Sequence, residues 1–361
     1  MKTNGRPSPF AAAADISALM PTLGAVRTNC HISDAQFATN YTLCVYLLKM
    51  REYFRWEHGL PFGAALPHDQ LTDWLTRRET HWDSLEHSRF ENIPVGNERF
   101  SPFDSAAINA VLNPLGYVYS SGYGPGMKPV FFMGTLEVHR QRDDYQLLVS
   151  GRELARDLAA PPAMSLDGTI FIRRESLRRM LWERLEEWRW NRPANAMQHA
   201  LECYDFENAP DESLEAMTDS ELNTVMLHEI GEVQAGKLLG PGWEDMLVRL
   251  GHSREEIMLR AVRDHLADAL STLPGLLAEN NPATLHCYIG SLSSMRKELF
   301  PQLLAAYEIW TITGNTRELE QLSDRSAAHW TTLAGELLDL FDRQGTGCRQ
   351  QLIATIESNQ L

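Results

Sequence analysis

The chain has 361 residues, enough for one large domain or two to three smaller ones, and its 43% hydrophobic and 22% charged residues exclude wholesale disorder. A formal net charge of −15, from 33 Lys+Arg and 48 Asp+Glu, argues against a nucleic-acid or anionic-membrane partner, because phosphate binding needs a concentrated basic face. Five widely spaced cysteines without a CxxC, no apolar run near the roughly 18–20 residues of a membrane span, and Asp15 interrupting Ala11 to Ala14 point to a reduced, cytoplasmic chain.

Taken in order, residues 1–29 read as a loosely ordered lead-in, 30–92 as an N-terminal helical segment, 93–190 as an α/β segment and 191–361 as a helical domain. Asp34 has the position of an N-cap for a helix running to about Glu57, with Phe37, Tyr41, Cys44, Val45, Leu48 and Phe54 at helical spacing. The stretch Cys30-His31 just before it is adjacent in sequence and so makes no nucleophilic dyad by itself. A Trp- and His-rich stretch follows from Pro67 to Phe90, read as two short helices or a helix and a loop. The middle segment carries β-type runs at Val130 to Met133, Tyr145 to Val149 and Thr169 to Ile172, with a turn at Asp167-Gly168. Its glycine-rich stretch, Ser121 to Gly126, lacks the context of a P-loop and is expected to be a loop. Arg173, Arg174, Arg178, Arg179 and Arg184 alternate with Glu175, Glu183, Glu186 and Glu187, the pattern of a solvated, ion-paired helix face. Beyond Glu175 the punctuation by Pro193, Pro210, Gly240-Pro241-Gly242, Pro274, Pro282 and Gly314 predicts helices near 175–190, 194–204, 219–239, 254–272, 292–312, 315–322 and 325–343. The fold class expected is α+β, predominantly α, with a helical C-terminal half and a small β-containing middle segment.

The best candidate for chemistry is His228-Glu229-Ile230-Gly231-Glu232. On a helix opening at Asp219, residues Leu222, Val225, Met226, Ile230 and Val233 make one apolar stripe, and Glu229 falls about 20° from Leu222, in its middle. An ionised carboxylate on a core-facing stripe is costly unless paired or bound to metal, which singles out Glu229. His228 and Glu232 are four residues apart and can grip one cation together. On the next helix, Asp264 and Asp268 lie well off the stripe of Met258, Val262, Leu266, Ala269 and Leu273, among small neighbours; they suit a solvated face slightly better than an inward one. His265 borders that stripe and reads as a core histidine.

Two local resemblances follow. His228-Glu229-x-x-Glu232 is similar to the His-Glu-x-x-His motif of zincin metallopeptidases, with Glu232 where the second histidine stands; that family implies Glu229 as general base. Leu227-His228-Glu229-Ile230-Gly231 resembles the metal helix of HD-type phosphohydrolases, with Glu229 where they carry Asp, and this implies an upstream ligand, His199, and a downstream one, Asp264 or Asp268. The C-terminal half also looks like an uncharacterised family of bacterial proteins of similar length, on Met226 to Glu232, Trp243-Glu244, Arg260 to Pro274 and Met295-Arg296. The expectation is a metal-dependent hydrolase in which His228, Glu232, His199, Asp264 and Asp268 hold a divalent ion (Zn, Mn or Fe) and Glu229 acts on a metal-bound water. The alternative is a non-catalytic helical binding or scaffold protein, with Glu229 as a buried structural acceptor. The partner in either case, a small molecule or a protein, is not specified by the sequence.

Overall fold

In the computed structural model, which describes residues 16–124, 127–251 and 253–361, the β-branched and aromatic runs of the middle segment form strands and nearly everything beyond them is helix, so the fold is α+β and predominantly α. The chain divides into two units, residues 1–183 with 210–214 and residues 184–209 with 215–361. No described helix is long and apolar enough to cross a membrane.

The first unit opens with α1 (Met20–Phe37), α2 (Leu43–Glu57) and α3 (His68–Asp83). A hairpin of β1 (Ile93–Val95) and β2 (Glu98–Phe100) and a short α4 (Ser105–Leu112) lead into a five-stranded sheet. Its strands are β3 (Tyr117–Tyr123), β4 (Pro129–Gln141), β5 (Gln146–Arg156), β6 (Ala163–Leu166) and β7 (Thr169–Arg173), in the order β3-β4-β5-β7-β6. All neighbours are antiparallel except β5 and β7. The β6–β7 turn is Asp167-Gly168 as the sequence indicates, with both residues at positive φ, the conformation that tight hairpins select. One core joins Val26 and Cys30 of α1 to Tyr119, Phe131 and Met133 of the sheet.

Several polar residues are buried here, contrary to expectation. Asp34 is no N-cap. It sits in the last turns of α1, fully buried, where it accepts from Lys128 Nζ at 2.6 Å and from the Leu158 N–H at 3.0 Å. Burial works against the Lys128 ammonium, but Asp34 and Asp157 outweigh it and hold its pKa above the usual lysine value. The arginine run is likewise no solvated face. Arg173 and Arg179 are buried, the first donating to Glu153 at 2.9 Å and the second to the Ala160 carbonyl and to Glu183. Of the lead-in expected over 1–29, residues 1–15 lie outside the described residues, whereas 16–29 form a 3-10 turn and the start of α1. Within the expected loop at 121–126, Ser121 to Tyr123 end strand β3, and 125–126 lie outside the described residues.

The second unit is helical: α5 (Arg174–Asn191) completes its course there, followed by α6 (Ala196–Glu202), α7 (Pro210–Leu239), α8 (Pro241–Leu250) and α9 (Arg254–Ala267). A π-helical turn, Asp268–Thr272, joins α9 to α10 (Leu273–Glu279). Then come α11 (Pro282–Ser291), α12 (Ser294–Leu299), α13 (Pro301–Thr313), α14 (Arg317–Gln344) and α15 (Arg349–Ser358). Trp330, Leu337 and Leu333 of α14 pack with Leu266, Trp243 and Leu352 in its core. Pro210, Pro241, Pro282 and Pro301 each open a helix, where a missing N–H costs nothing. Reading Pro241 as a stop therefore missed α8, and Pro301 splits the helix expected over 292–312. Without Gly or Pro between them, the two segments expected over 315–343 are the single α14.

The buried pair gives a first test. Lys128→Met would leave Asp34 buried without its cation, and a loss of about 3–5 kcal/mol of unfolding free energy is expected, measured by urea denaturation.

Candidate functional site

Side-chain size decides which face of α7 turns inward. The buried positions of its second-unit part are Met217, Thr218, Glu221, Thr224, Gly231 and Ala235. Leu222, Val225, Met226, Ile230 and Val233, the expected core stripe, are only half-buried. The inward face is rotated from that stripe by about 140°. Gly231 shows why: a Cβ added there would lie 2.1 Å from the Ala267 carbonyl oxygen on α9. The two backbones approach so closely that only glycine fits. One turn earlier, Leu227 sits against Gly275, where a Cβ would come within 2.6 Å of its Cδ1. The rotation brings His228, not Glu229, to the inward side.

His228 Nδ1 lies 2.8 Å from Asp268 Oδ1. Asp268 opens the π-helical turn, in which the Leu273 N–H reaches back five residues to the Asp268 carbonyl. Pro274 accounts for that turn, since its ring would collide with the carbonyl four residues back in a regular helix and it has no N–H to donate. The Asp268 side chain is almost fully buried and accepts three further bonds: Thr272 Oγ1 at 2.8 Å, Tyr288 OH at 2.9 Å and the Arg296 guanidinium. A carboxylate so surrounded offers Nδ1 only an acceptor, so the His228 proton resides on Nδ1 and Nε2 is its basic nitrogen. The imidazole is about one-third exposed, at 32%, while its carboxylate partner is not, at 3%. Burial lowers the Arg296 pKa, against Asp264 and Glu232, and burial with Asp264 pushes the Tyr288 phenol up.

Glu232 stands one turn beyond His228. Its Oε2 is 3.0 Å from Arg263 Nε, off the line of a hydrogen bond, and Arg263 also pairs with Glu244. Its Oε1 is buried with no hydrogen-bond partner among the described residues. Burial raises the Glu232 carboxyl, opposed by Arg263 and His228 and reinforced by Asp264 and Glu229. Beside this contact opens a cleft of about 380 Å³ lined by Lys237, Pro241, Trp243, Glu244 and Arg263.

The structure therefore brings His228, Asp268 and Glu232 into one neighbourhood, with Asp264 and Glu229 near enough to act on Glu232 electrostatically. Asp268 faces inward, contrary to the solvated face favoured for it, and half-buried Asp264 contributes through its field. His199 keeps other company: it is exposed on α6, 3.4 Å from Glu202 and 5.3 Å, ring to ring, from His286. His265 is the expected core histidine, bonded to the Arg296 carbonyl at 2.9 Å and stacked on Trp330. Among the described residues, no group of three or more His, Cys, Asp or Glu side chains is arranged to hold a metal ion. Arg296, Tyr288, Thr272 and Arg263 carry no motif of their own, although the Met295-Arg296 and Arg260 to Pro274 segments stood out in the sequence. The buried acid of α7 is Glu221, at 5% exposure, in place of Glu229.

Two outcomes are expected. Gly231→Ala should lower the thermal midpoint and shift the His228 ring resonances, because α7 must move away from Ala267. Burial raises Glu221 from its usual 4.5 to about 8, so its contribution to stability is complete below pH 4.5 and is lost as pH rises to 8. The unfolding free energies of Glu221→Gln and the native chain, measured by urea denaturation, should therefore diverge across that window, by about 1.4 kcal/mol per pH unit in favour of the variant.

No curated protein and no solved structure matches the chain. Two family models do. The N-terminal domain of a family of unknown function (DUF6866) matches residues 22–173, and the C-terminal domain of the same family matches residues 178–359. The latter contains every residue around Asp268, and on these two matches the chain belongs to the DUF6866 family of unknown function.

Proposed function

We propose that the second unit carries a hydrolytic site in which His228 moves the proton. The observation that carries this reading is the 2.8 Å contact between His228 Nδ1 and a carboxylate that three other donors hold in place. A buried acceptor on Nδ1 sets the tautomer and the ring's orientation, and stabilises the imidazolium formed when Nε2 takes a proton from water. The partial exposure of the ring gives water and substrate access to it. In this reading Glu232, whose carboxyl burial raises, would return a proton to a leaving group.

A second reading keeps the divalent ion (Zn, Mn or Fe). It is favoured by the orphaned Glu232 Oε1 and by Asp268, since a metal-binding histidine characteristically donates its other ring nitrogen to a carboxylate. Here His228 and Glu232 would be the ligands from this chain, Asp268 would orient His228, and the ion would acidify a bound water.

The test is elemental analysis of protein purified without chelator, with turnover on phosphoester, carboxylic ester and peptide panels, for the native chain, His228→Gln and Asp268→Asn. The proton-transfer reading expects no stoichiometric metal, and turnover reduced at least about a hundredfold in His228→Gln and less in Asp268→Asn. Near-stoichiometric metal lost in His228→Gln selects the metal reading. Turnover and metal content indifferent to His228 would overturn both, leaving the buried network with the role of a helical scaffold.

A further inference from the structure

The first turns of α2 are apolar on every side. Leu43, Cys44, Val45, Leu47 and Leu48 are interrupted only by Tyr46, and all five are exposed, Leu43 at 71% and Leu48 at 54%. Leu43 and Leu47 share a sector of about 60° with Met50 and Phe54. Those two are 1% exposed and pack with Trp74 and Tyr53. The stripe that builds this core thus runs on past the side chains that cover it. A helix apolar all round is ordinarily a buried one, and a contiguous exposed patch of this kind marks an interaction surface.

Beside the patch lies a cleft of about 520 Å³ between the start of α2 and the second half of α3. Its apolar wall includes Ala35, Ala38, Tyr41, Leu43 and Trp82, and its rim carries Glu79, Asp83 and Glu86. All three carboxylates are exposed, and among the described residues none of them pairs with a cation; Glu79 accepts from Tyr46 OH at 3.0 Å. Lys49 and Lys128 stand over the Tyr41 ring, at 5.3 and 5.7 Å from its centre, and Lys128 is committed to Asp34. Glu79 and Asp83 fall in the last turns of α3, where the negative end of the helix dipole disfavours anions. An unpaired acidic rim in that position gains from any cation brought to it.

We propose that this face of the first unit docks an amphipathic basic segment of a partner protein. Its apolar side chains lie along Leu43 and Leu47 and enter the cleft, and its Lys or Arg residues meet Glu79, Asp83 and Glu86. Charge decides between this occupant and a second copy. Another copy of a chain with net charge −15 would set its own acidic rim against this one, whereas a basic segment neutralises it. None of the residues around His228 takes part.

The experiment is fluorescence anisotropy on the full chain with a labelled helical peptide of Leu and Lys at three-to-four spacing, alongside its Leu and Glu counterpart. Saturable binding of the Lys peptide alone is expected. The triple variant Glu79→Gln, Asp83→Asn, Glu86→Gln should weaken it about tenfold or more, and so should Leu43→Ser with Leu47→Ser. A control with the same change in charge on α14 (Glu318→Gln, Asp324→Asn, Glu336→Gln) should alter it by less than about twofold. All six carboxylates are exposed, so the variants should fold, which circular dichroism checks. The proposal is overturned if no saturable binding occurs, if the Glu peptide binds equally, or if the two triple variants weaken binding alike. It is also overturned if sedimentation finds a dimer that Leu47→Ser dissolves, which would assign the face to self-association.

Discussion

A carboxylate removed from water must be given donors, and Asp268 draws them from its own π-helical turn and from three other helices. His228 reaches it from α7, Tyr288 from α11 and Arg296 from α12, so a few atoms fix the mutual placement of four segments. The neighbouring contacts follow from that anchor. The Arg296 carbonyl accepts from His265, which ties α12 to α9 a second time, and Glu232 meets Arg263 one turn farther along the α7–α9 seam. A ring held by a fully coordinated anion is rigid before any ligand arrives, and such rigidity is what the proposed proton transfer would require.

The first unit relies on the same device with different parts. Asp34 with Lys128 and Glu153 with Arg173 are buried ion pairs joining a helix to a loop and a strand to its neighbour's end. Each adds donors beyond its partner, the Leu158 N–H for Asp34 and Ser176 for Glu153. Burial raises carboxyl pKa values, yet Arg173 and Arg156 bring Glu153 below its usual value. Removing one member of such a pair is costly, because it leaves a buried charge without its partner.

Much of the architecture was legible. The strands at 130–133, 145–149 and 169–172 announced themselves by β-branched and aromatic runs, and most helices by periodicity and proline. What escaped has a common cause. Hydrophobic periodicity locates large apolar side chains, but α7 turns its smallest residues inward, where Gly231 meets the Ala267 backbone, and leaves Leu222 and Met226 half-buried. His228 and Asp268, which the structure brings together, were therefore singled out with mistaken orientations, and Glu229 took the buried place that Glu221 occupies. Asp34 looked like a cap because capping is the local use of Asp before an apolar run, and its lysine stands 94 residues away. The partners of Asp268 come from 20 and 28 residues downstream, a separation at which one sequence carries no pairing signal. The π-helical turn had one visible trace, a proline inside an otherwise continuous helical run.

That turn holds one residue more than a regular helical turn, which makes its length a register device. Residues up to Ala267 and residues from Leu273 belong to helices offset by about 100° relative to an uninterrupted α-helix. Winding the same residues as an uninterrupted α-helix would swing Leu273 and Leu276 out of the core and carry Thr272 away from the carboxylate, whereas a homologue with one residue fewer between Asp268 and Pro274 could close the turn and keep both leucines in place. The core therefore tolerates the loss of one residue in this window, and what such a loss alters is the wall of the turn itself, where Thr272 donates to Asp268.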